Sequence, residues 1–228
     1  MVKEIMNRNL LNEALIKIVA GIIIMTVLIF LPAGTFLFSG GLILMTVLFV
    51  PMIFAGFFMM VKKPELLRRR LKGNEKQKGQ RVIVFLSAVM FAIGFIVAGL
   101  DFRFGWSSFP RWLTVIGIIA FLSAYLMYGE VIRENEYLSR TIEVDAGQKV
   151  IDTGLYSVVR HPMYFATVIL FLSMPVILGS FCSFVIFLLY PFLIVKRIKF
   201  EEEFLEKELD GYIEYKQKVK YRLIPHIW

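Results

Sequence analysis

The sequence predicts an all-α fold, a polytopic membrane helix bundle with five or six spans, a helical hairpin near the C-terminus and a cytoplasmic amphipathic helix after it. The first observation is composition: 58% of the 228 residues are hydrophobic and 19% are charged, whereas soluble domains use about 45–50% apolar residues. The second is that four long stretches lack any charged residue: residues 18–61, 82–100, 112–128 and 162–195. A spanning helix needs about 20 apolar residues, so the first stretch holds two spans and the last is too long for one.

Four spans are predicted in the N-terminal half. Their ranges are residues 11–31, 41–61, 82–100 and 112–131. Pro51 is expected to kink the second span, a defect that neighbouring helices can accommodate. Residues 101–111 form the return loop after the third span, with Trp106 and Trp112 at interfacial depth.

The positive charges indicate how the bundle is oriented. Residues 62–81 carry nine Lys or Arg against two Glu, and the positive-inside rule places such a loop in the cytoplasm. Both termini are then cytoplasmic, in a cell membrane or the endoplasmic reticulum membrane. A patch for an anionic headgroup or cofactor is the functional alternative to this topological explanation. The net charge of +8 therefore needs no nucleic acid to explain it.

Disulfide and metal chemistry find no support in the sequence. Cys182 is the single cysteine, and the two histidines, His161 and His226, match no metal-binding spacing. We therefore predict no metal site.

A polar segment enters the last apolar stretch at Arg160-His161-Pro162. Proline disfavours a helical conformation in the preceding residue and is favoured at the first helical position, so a helix should begin at Pro162. The unpaired N–H groups of that helix end favour an anion, and Arg160 and His161 lie at the same point. The alternative is that Arg160 reaches lipid phosphates while the other two residues only shape the helix start.

The loop at residues 137–160 is the longest polar segment between spans, and long loops of this kind are often functional. Its part at residues 148–156 is expected to be extended and to end in a turn at Gly154. Glycine there would allow a positive φ or a close backbone approach to a ligand.

Residues 162–199 are predicted to form a helical hairpin. Pro175 and Gly179-Ser180 interrupt the apolar run, and each half has about 17 residues, barely enough to span. With the tip at Gly179, the two open ends lie side by side at the cytoplasmic face.

The open ends of the hairpin bring ionisable residues together. Arg160 and His161 of the first arm should face Arg197 and Glu201 of the second. Residues four apart share one helical face, whereas Glu202 points about 100° away. A solvated helix with internal ion pairs is the alternative, but ionisable groups at the end of a span often mark sites.

After Gly211, the aromatic and apolar positions suggest an amphipathic helix lying against the membrane, followed by an extended tail that Trp228 could anchor. Its functional interpretation is a lid over the site, and the alternative is an ordinary surface helix.

Several ordered motifs occupy residues 148–228, a third of the chain. They are Gly154-x-Tyr156, Arg160-His161-Pro162-Met163-Tyr164, Arg197-Ile198-x-x-Glu201-Glu202-x-x-Leu205, Gly211-x-x-x-Tyr215-x-x-x-Val219 and Leu223-Ile224-Pro225-x-x-Trp228. This set resembles the isoprenylcysteine carboxyl methyltransferase and phospholipid methyltransferase superfamily. One departure is Ala166, where the family commonly has glycine, so fine geometry differs there by one methyl group.

The resemblance implies that residues 1–134 hold the acceptor side and residues 135–228 the catalytic region, which binds S-adenosylmethionine. The residues that it implies for cofactor binding are Gly154, Leu155, Tyr156, His161, Tyr164, Glu201 and Glu202. Those that it implies for catalysis are Arg160, Arg197 and Glu201, with the two arginines holding an anionic acceptor next to the methyl group.

The resemblance implies methyl transfer to the carboxylate of a lipid-soluble or prenylated acceptor that enters between the spans. An anionic carboxylate needs no general base, whereas an amine would need one. The alternatives are a phospholipid N-methyltransferase, a sterol-type membrane reductase using NADPH, and a channel or transporter. Membrane lipids are the other expected partners, and the oligomeric state stays open.

Overall fold

The structure is a computed structural model that describes residues 2–71, 73, 78–139 and 141–228. These residues form nine α-helices, which we number in chain order: α1 (Val2–Ala33), α2 (Ser39–Lys62), α3 (Pro64–Leu71), α4 (Lys78–Phe104), α5 (Arg111–Glu134), α6 (Pro162–Leu178), α7 (Phe181–Phe187), α8 (Leu189–Glu208) and α9 (Tyr212–Lys218). The predicted all-α fold is confirmed for this part of the chain.

Five helical segments are long and apolar enough to cross a membrane: Asn9–Ala33, Ser39–Lys62, Gly79–Phe104, Arg111–Glu134 and Phe181–Glu208. The last of them contains α7 and α8, and α6 is a shorter apolar helix. Large apolar side chains such as Phe54 and Phe57 are exposed on the outside of the bundle, as expected of surfaces that face lipid. The predicted membrane helix bundle is therefore confirmed.

The core of the bundle is apolar and aromatic. α5 packs along α6, and α4 packs on α1, α7 and α8. The side chains of Leu44, Phe121, Ile177 and Phe187 are fully buried between these helices. This core holds the C-terminal hairpin against the N-terminal spans.

The predicted hairpin is present and its tip is at Gly179. This residue has φ of +76° and caps α6 in the left-handed conformation, which glycine adopts at little cost. The second arm is divided between α7 and α8 at Leu188. Pro191 explains the division, because it has no N–H to continue the helical hydrogen bonding.

A buried carboxylate joins the hairpin tip to the return loop. Asp101 is 1% exposed and accepts hydrogen bonds from the Ser107 amide at 2.6 Å and from the hydroxyls of Ser107 and Ser180. Since the hairpin opens at the other end of the bundle, this junction lies far from the open ends.

Some sequence boundaries differ from the structure. α1 begins well before residue 11, and α4 continues past residue 100 to Phe104, so Asp101 is helical. The basic segment contains helix α3, which hydrophobic patterning missed because it is short, and residues 72 and 74–77 of that segment lie outside the described residues.

The described contacts of the C-terminal helix are with the protein, and its predicted position against the membrane stays a prediction. The tyrosines of α9, Tyr212 and Tyr215, are buried in a cluster with Leu209 and Val219, against which Val150 of the long loop also packs. The apolar side of this helix therefore faces the protein, and the helix covers the end of the bundle.

Candidate active site

A cavity of about 850 Å³, here called the loop cavity, lies where the hairpin opens. Its walls come from the loop that follows α5, the start of α6, the end of α8, and α9. The predicted site residues that line it are Tyr156, Arg160, His161, Tyr164, Arg197 and Glu201.

Glu202 is the hub of a buried charge cluster behind this cavity. Its side chain is 3% exposed, and one carboxylate oxygen accepts from Arg160 Nε at 2.7 Å. The same oxygen is 3.2 Å from His161 Nε2, and the other accepts from Arg222 Nε at 2.8 Å. Because a carboxylate has no proton to donate, the hydrogen of this histidine contact is on Nε2.

Arg160 ties the entrance of the hairpin to the C-terminal tail. Its Nη1 donates to the carbonyls of Val219 at 2.6 Å and Lys220 at 2.9 Å. The backbone amides of Arg160 and His161 donate to the carbonyls of Tyr221 and Arg222, each at 2.9 Å. The tail is thus bound along the segment that leads into α6.

A second set of contacts links the two arms on the cavity side. Arg197 Nε donates to the Tyr164 hydroxyl at 2.9 Å, and that hydroxyl donates to the Glu201 carboxylate. His161 Nδ1 is 4.0 Å from Glu201, and its ring stacks on the Tyr164 ring at 5.7 Å between centroids. Arg197, Tyr164 and Glu201 are therefore held in fixed order across the hairpin entrance.

The turn at Gly154 is built as predicted. Its φ is +53°, and a Cβ at this position would lie 2.9 Å from the Glu134 side chain, so both positive φ and close approach require glycine. A 3₁₀ turn over Gly154–Ser157 then directs Tyr156 into the cavity. The Tyr156 hydroxyl accepts from Asn135 Nδ2 at 3.0 Å, while burial raises its pKa to about 12.

Helix α9 adds two tyrosines that sequence reasoning did not single out for the cavity. Tyr215 donates to the Tyr156 carbonyl at 2.7 Å. Tyr212 lines the cavity, and its hydroxyl is buried and has no hydrogen-bond partner within the described part of the chain. Burial raises the pKa of both phenols well above the ordinary value, so they are neutral near pH 7. The position of Tyr212 directly after Gly211, inside the C-terminal motifs, was the available signal.

A second cavity, here called the membrane cavity, adjoins the first between α4, α6 and α8. Residues shared by the two cavities are Ser139, Thr141, Met163, Tyr164 and Arg197. The two compartments therefore meet beside the Arg197–Tyr164 pair.

The structure brings most predicted site residues to one place. Arg160, His161, Arg197 and Glu201 line one cavity as predicted, but the ion pair of Arg160 is with Glu202. Gly154, Leu155 and Glu202 are not among the lining residues that the structure describes. Leu155 instead packs in an apolar cluster under Tyr156. The roles of all these residues in cofactor binding and catalysis stay predictions.

Comparisons with known proteins agree with the resemblance read from the motifs. The sequence model of the phospholipid methyltransferase family matches residues 112–210, a range that holds the loop, the hairpin and the predicted site residues. The match confirms the predicted superfamily resemblance over that range, which is less than half of the chain.

A search of curated proteins found no match. A solved structure of the eukaryotic intramembrane Ras methyltransferase, isoprenylcysteine carboxyl methyltransferase, is similar with a TM-score of 0.49 and 18% sequence identity, covering 82% of this chain and 74% of that chain.

Proposed function

We propose that this chain is an S-adenosylmethionine-dependent membrane methyltransferase that methylates the carboxylate of a lipid-soluble or prenylated acceptor. The observation that carries the proposal is the junction of two cavities that share Tyr164 and Arg197: one under the loop, lined by ionisable residues such as Glu201, and one between the spans, lined by residues such as Phe91. Two reactants of opposite polarity, a water-soluble cofactor and a lipophilic acceptor, need such a pair of compartments. The match to the family model over residues 112–210 supports the same class of reaction.

The residues of the loop cavity fit the chemistry of this cofactor. The ammonium group and the ribose hydroxyls of S-adenosylmethionine need hydrogen-bond acceptors. The Glu201 carboxylate lines the cavity, and its side chain is 20% exposed. The carboxylate and the ring nitrogens of S-adenosylmethionine need hydrogen-bond donors. Tyr212 lines the cavity, and its neutral hydroxyl, which has no partner among the described residues, is a candidate donor. The stacked rings of His161 and Tyr164 offer flat faces for the adenine or for the sulfonium charge.

The protein has mainly to align and desolvate the reactants. When bound, S-adenosylmethionine would supply a methyl group already activated on a sulfonium, so catalysis depends on position and charge rather than on a nucleophile of the protein. Arg197 lines both cavities and is the residue best placed to hold an anionic acceptor at their junction. Tyr164 fixes the Arg197 side chain by accepting its Nε–H.

Arg160 has a different set of contacts from Arg197. It is 5% exposed and bonded to Glu202 and to tail carbonyls. We therefore assign Arg160 chiefly to positioning His161 and the tail, and Glu202 to the same task. Glu201, whose carboxylate faces the cavity, remains the acid–base candidate.

A phospholipid amine is the second candidate acceptor, and the family match is the observation that favours it. An amine must lose a proton before or during methyl transfer, whereas a carboxylate need not. Among the lining residues, His161, Glu143 and Glu201 are the candidate bases. The two chemistries therefore differ in their dependence on these residues.

We place the site at the cytoplasmic face of a multi-pass protein. Helix α3, which belongs to the basic segment at residues 62–81, lies at the end of the bundle where the hairpin opens, because its Arg69 pairs with Asp145 of the loop over the site. The positive-inside rule assigns that end to the cytoplasm.

The test is calorimetry of the purified protein in a neutral detergent, titrated with S-adenosylhomocysteine and, separately, with NADPH. We expect binding of the first alone, and protein that binds only NADPH would be the reductase instead. Lipid extracts incubated with methyl-labelled cofactor and analysed by mass spectrometry then identify the acceptor. Arg197→Gln should lower labelling strongly, whereas the matched control Lys196→Gln, at an exposed position, should not.

A further inference from the structure

Gln80 is a buried polar residue in the first turn of α4. Its exposure is 0%, which is uncommon for glutamine. The side-chain Nε2 donates to the backbone carbonyl of Arg197 in α8 at 3.1 Å. Gln80 lies outside the C-terminal motifs and outside the family match at residues 112–210, and it is not among the described lining residues of either cavity. Any part that it has in the site therefore comes from what it holds in place.

The carbonyl that Gln80 contacts belongs to the turn of α8 that carries two predicted site residues. In an α-helix the carbonyl of one residue accepts from the amide four residues later, so the Arg197 carbonyl faces the Glu201 amide within α8. A carbonyl has two lone pairs and can accept the glutamine amide as well. Arg197 and Glu201 both line the loop cavity. The hydrogen bond from Gln80 therefore fixes the turn that presents both side chains.

A second contact joins α4 and α8 at the same level. A Cβ at Gly79 would lie 3.4 Å from the nearest carbon of the Phe200 ring, so the first turn of α4 packs closely on this turn of α8. In the same turn, Ile198 is fully buried in an apolar cluster with residues of α4 and α6. Apolar packing is not directional, whereas a hydrogen bond is. Gln80 thus supplies the contact that defines the rotation of the turn.

The amide oxygen of Gln80 argues against a purely stabilising role. Oε1 is buried and has no hydrogen-bond partner within the described part of the chain. Leaving a buried acceptor unpaired costs at least as much as one hydrogen bond usually contributes. An apolar side chain of similar size would therefore stabilise this interface as well as glutamine does. Buried polar groups that stability does not favour are typical of functional sites.

We propose that Gln80 is a positioning residue for methyl transfer, which orients the turn of Arg197 and Glu201 from the N-terminal spans. The inference rests on the proposed function, because that is the reaction these two side chains would serve. A displacement of about 1 Å in a reacting arrangement can lower a rate about 100-fold. A hydrogen bond to the backbone of this turn can therefore control the rate from a distance. The site then depends on a residue of the N-terminal half as well as on the motifs.

The experiment replaces Gln80 by methionine, which keeps the length and approximate volume of the side chain. Gln80→Met removes the hydrogen bond and the unpaired oxygen together. Thermal unfolding of the purified full chain in detergent should therefore be unchanged or occur at a higher temperature. Hydrogen exchange measured by mass spectrometry should become about 2- to 10-fold faster in peptides that contain residues 197–201. Faster exchange in this turn without global destabilisation is the expected signature of a lost positioning contact.

Rates of methyl labelling separate positioning from stability. With methyl-labelled S-adenosylmethionine and a membrane lipid extract as the source of acceptor, Gln80→Met should lower the maximal rate about tenfold or more. Added to Arg197→Gln, the same substitution should lower the residual rate by a much smaller factor, because Gln80 acts through this turn. Losses that multiply in the double variant would show that Gln80 acts elsewhere and would overturn the proposal.

The matched control is Ser183→Ala. Ser183 is also fully buried, and its hydroxyl donates to another backbone carbonyl of α4, that of Gly94, at 2.9 Å. This contact lies near the tip of the hairpin. Ser183→Ala should lower the unfolding temperature but leave the labelling rate and the exchange of residues 197–201 unchanged. An equal loss of rate in Ser183→Ala and Gln80→Met would refute positioning, because any buried hydrogen bond would then have the same effect.

The two levels of inference fail in different ways. Wild-type protein that neither binds S-adenosylhomocysteine nor labels any lipid would refute the methyltransferase proposal. The exchange measurement needs no ligand. Unchanged exchange of residues 197–201 in Gln80→Met would therefore refute the role of Gln80, whatever reaction the site performs.

Discussion

Replacing Glu202 with glutamine tests whether the buried charge cluster holds the entrance of the hairpin. The substitution keeps the shape of the side chain but removes the charge that Arg160 and Arg222 contact at 2.7 and 2.8 Å. Since Arg160 is 5% exposed, its guanidinium would be left buried beside a neutral amide. Breaking a buried pair in this way costs about 3–5 kcal/mol, and the glutamine oxygen can restore only part of one hydrogen bond. We therefore expect Glu202→Gln to lower the unfolding free energy by about 3–5 kcal/mol and to detach the tail first.

Trp228 reports on the tail directly, because Arg222 lies over its ring at 5.3 Å and its carbonyl accepts from the Arg222 amide at 3.0 Å. In a background with Trp106 and Trp112 replaced by phenylalanine, mixed-micelle unfolding followed by Trp228 fluorescence and quenching measures the loss. The matched control is Glu203→Gln, at an exposed neighbouring position, where a change within about 0.5 kcal/mol is expected. Equal effects of the two substitutions, or a Trp228 that stays shielded in Glu202→Gln, would refute the assignment of Glu202 as the hub.

Three further substitutions have definite expected outcomes. Tyr212→Phe removes a hydroxyl without a described partner, so it should leave stability unchanged. We expect it to weaken S-adenosylhomocysteine binding about 2- to 10-fold in calorimetry. Unchanged affinity would exclude the hydroxyl from the cofactor site. Gly154→Ala should destabilise the protein by about 1–2 kcal/mol in thermal unfolding, because alanine is strained at φ of +53°. Additional removal of the Glu134 side chain should recover only the part of this loss that comes from the close contact between the new Cβ and Glu134. Ser180→Ala at the far end should lower stability by about 1–3 kcal/mol through Asp101 with no change in cofactor affinity; a change in affinity would show that the two ends are coupled.

The membrane architecture could be predicted from the sequence because lipid imposes a simple rule on it. Charge-free stretches of about 20 residues have no other stable solution, so the spans were found from composition alone. The hairpin tip at Gly179 was also predictable, since a glycine between two short apolar halves leaves few other places for the chain to turn. Helix α3 was missed because eight residues with several arginines carry no apolar signal of this kind.

The site could be predicted as a set of residues but not as a set of contacts. Motif spacing grouped Arg160, His161, Arg197 and Glu201, and these do line one cavity. It could not show that Arg160 pairs with Glu202, because that choice depends on how α8 is rotated about its axis and on where the tail lies. The position of Tyr212 in the cavity wall depends on how α9 packs on the long loop. This is a long-range contact that no local sequence pattern indicates.

The residues that anchor the tip of the hairpin differ from those that line the cavities at its open end. At its tip, Ser180 and Asp101 fix the two arms to the N-terminal spans through hydrogen bonds that use no residue of either cavity. At its open end, Glu202 pairs with Arg160 and Arg222, and Arg197 is the arginine that lines both cavities. A ligand at the junction of the two cavities would therefore contact Arg197 on a hairpin whose tip is fixed at the opposite end of the bundle. Because the anchor and the cavity-lining side chains are different residues, a substitution in either cavity leaves the hydrogen bonds at the hairpin tip in place.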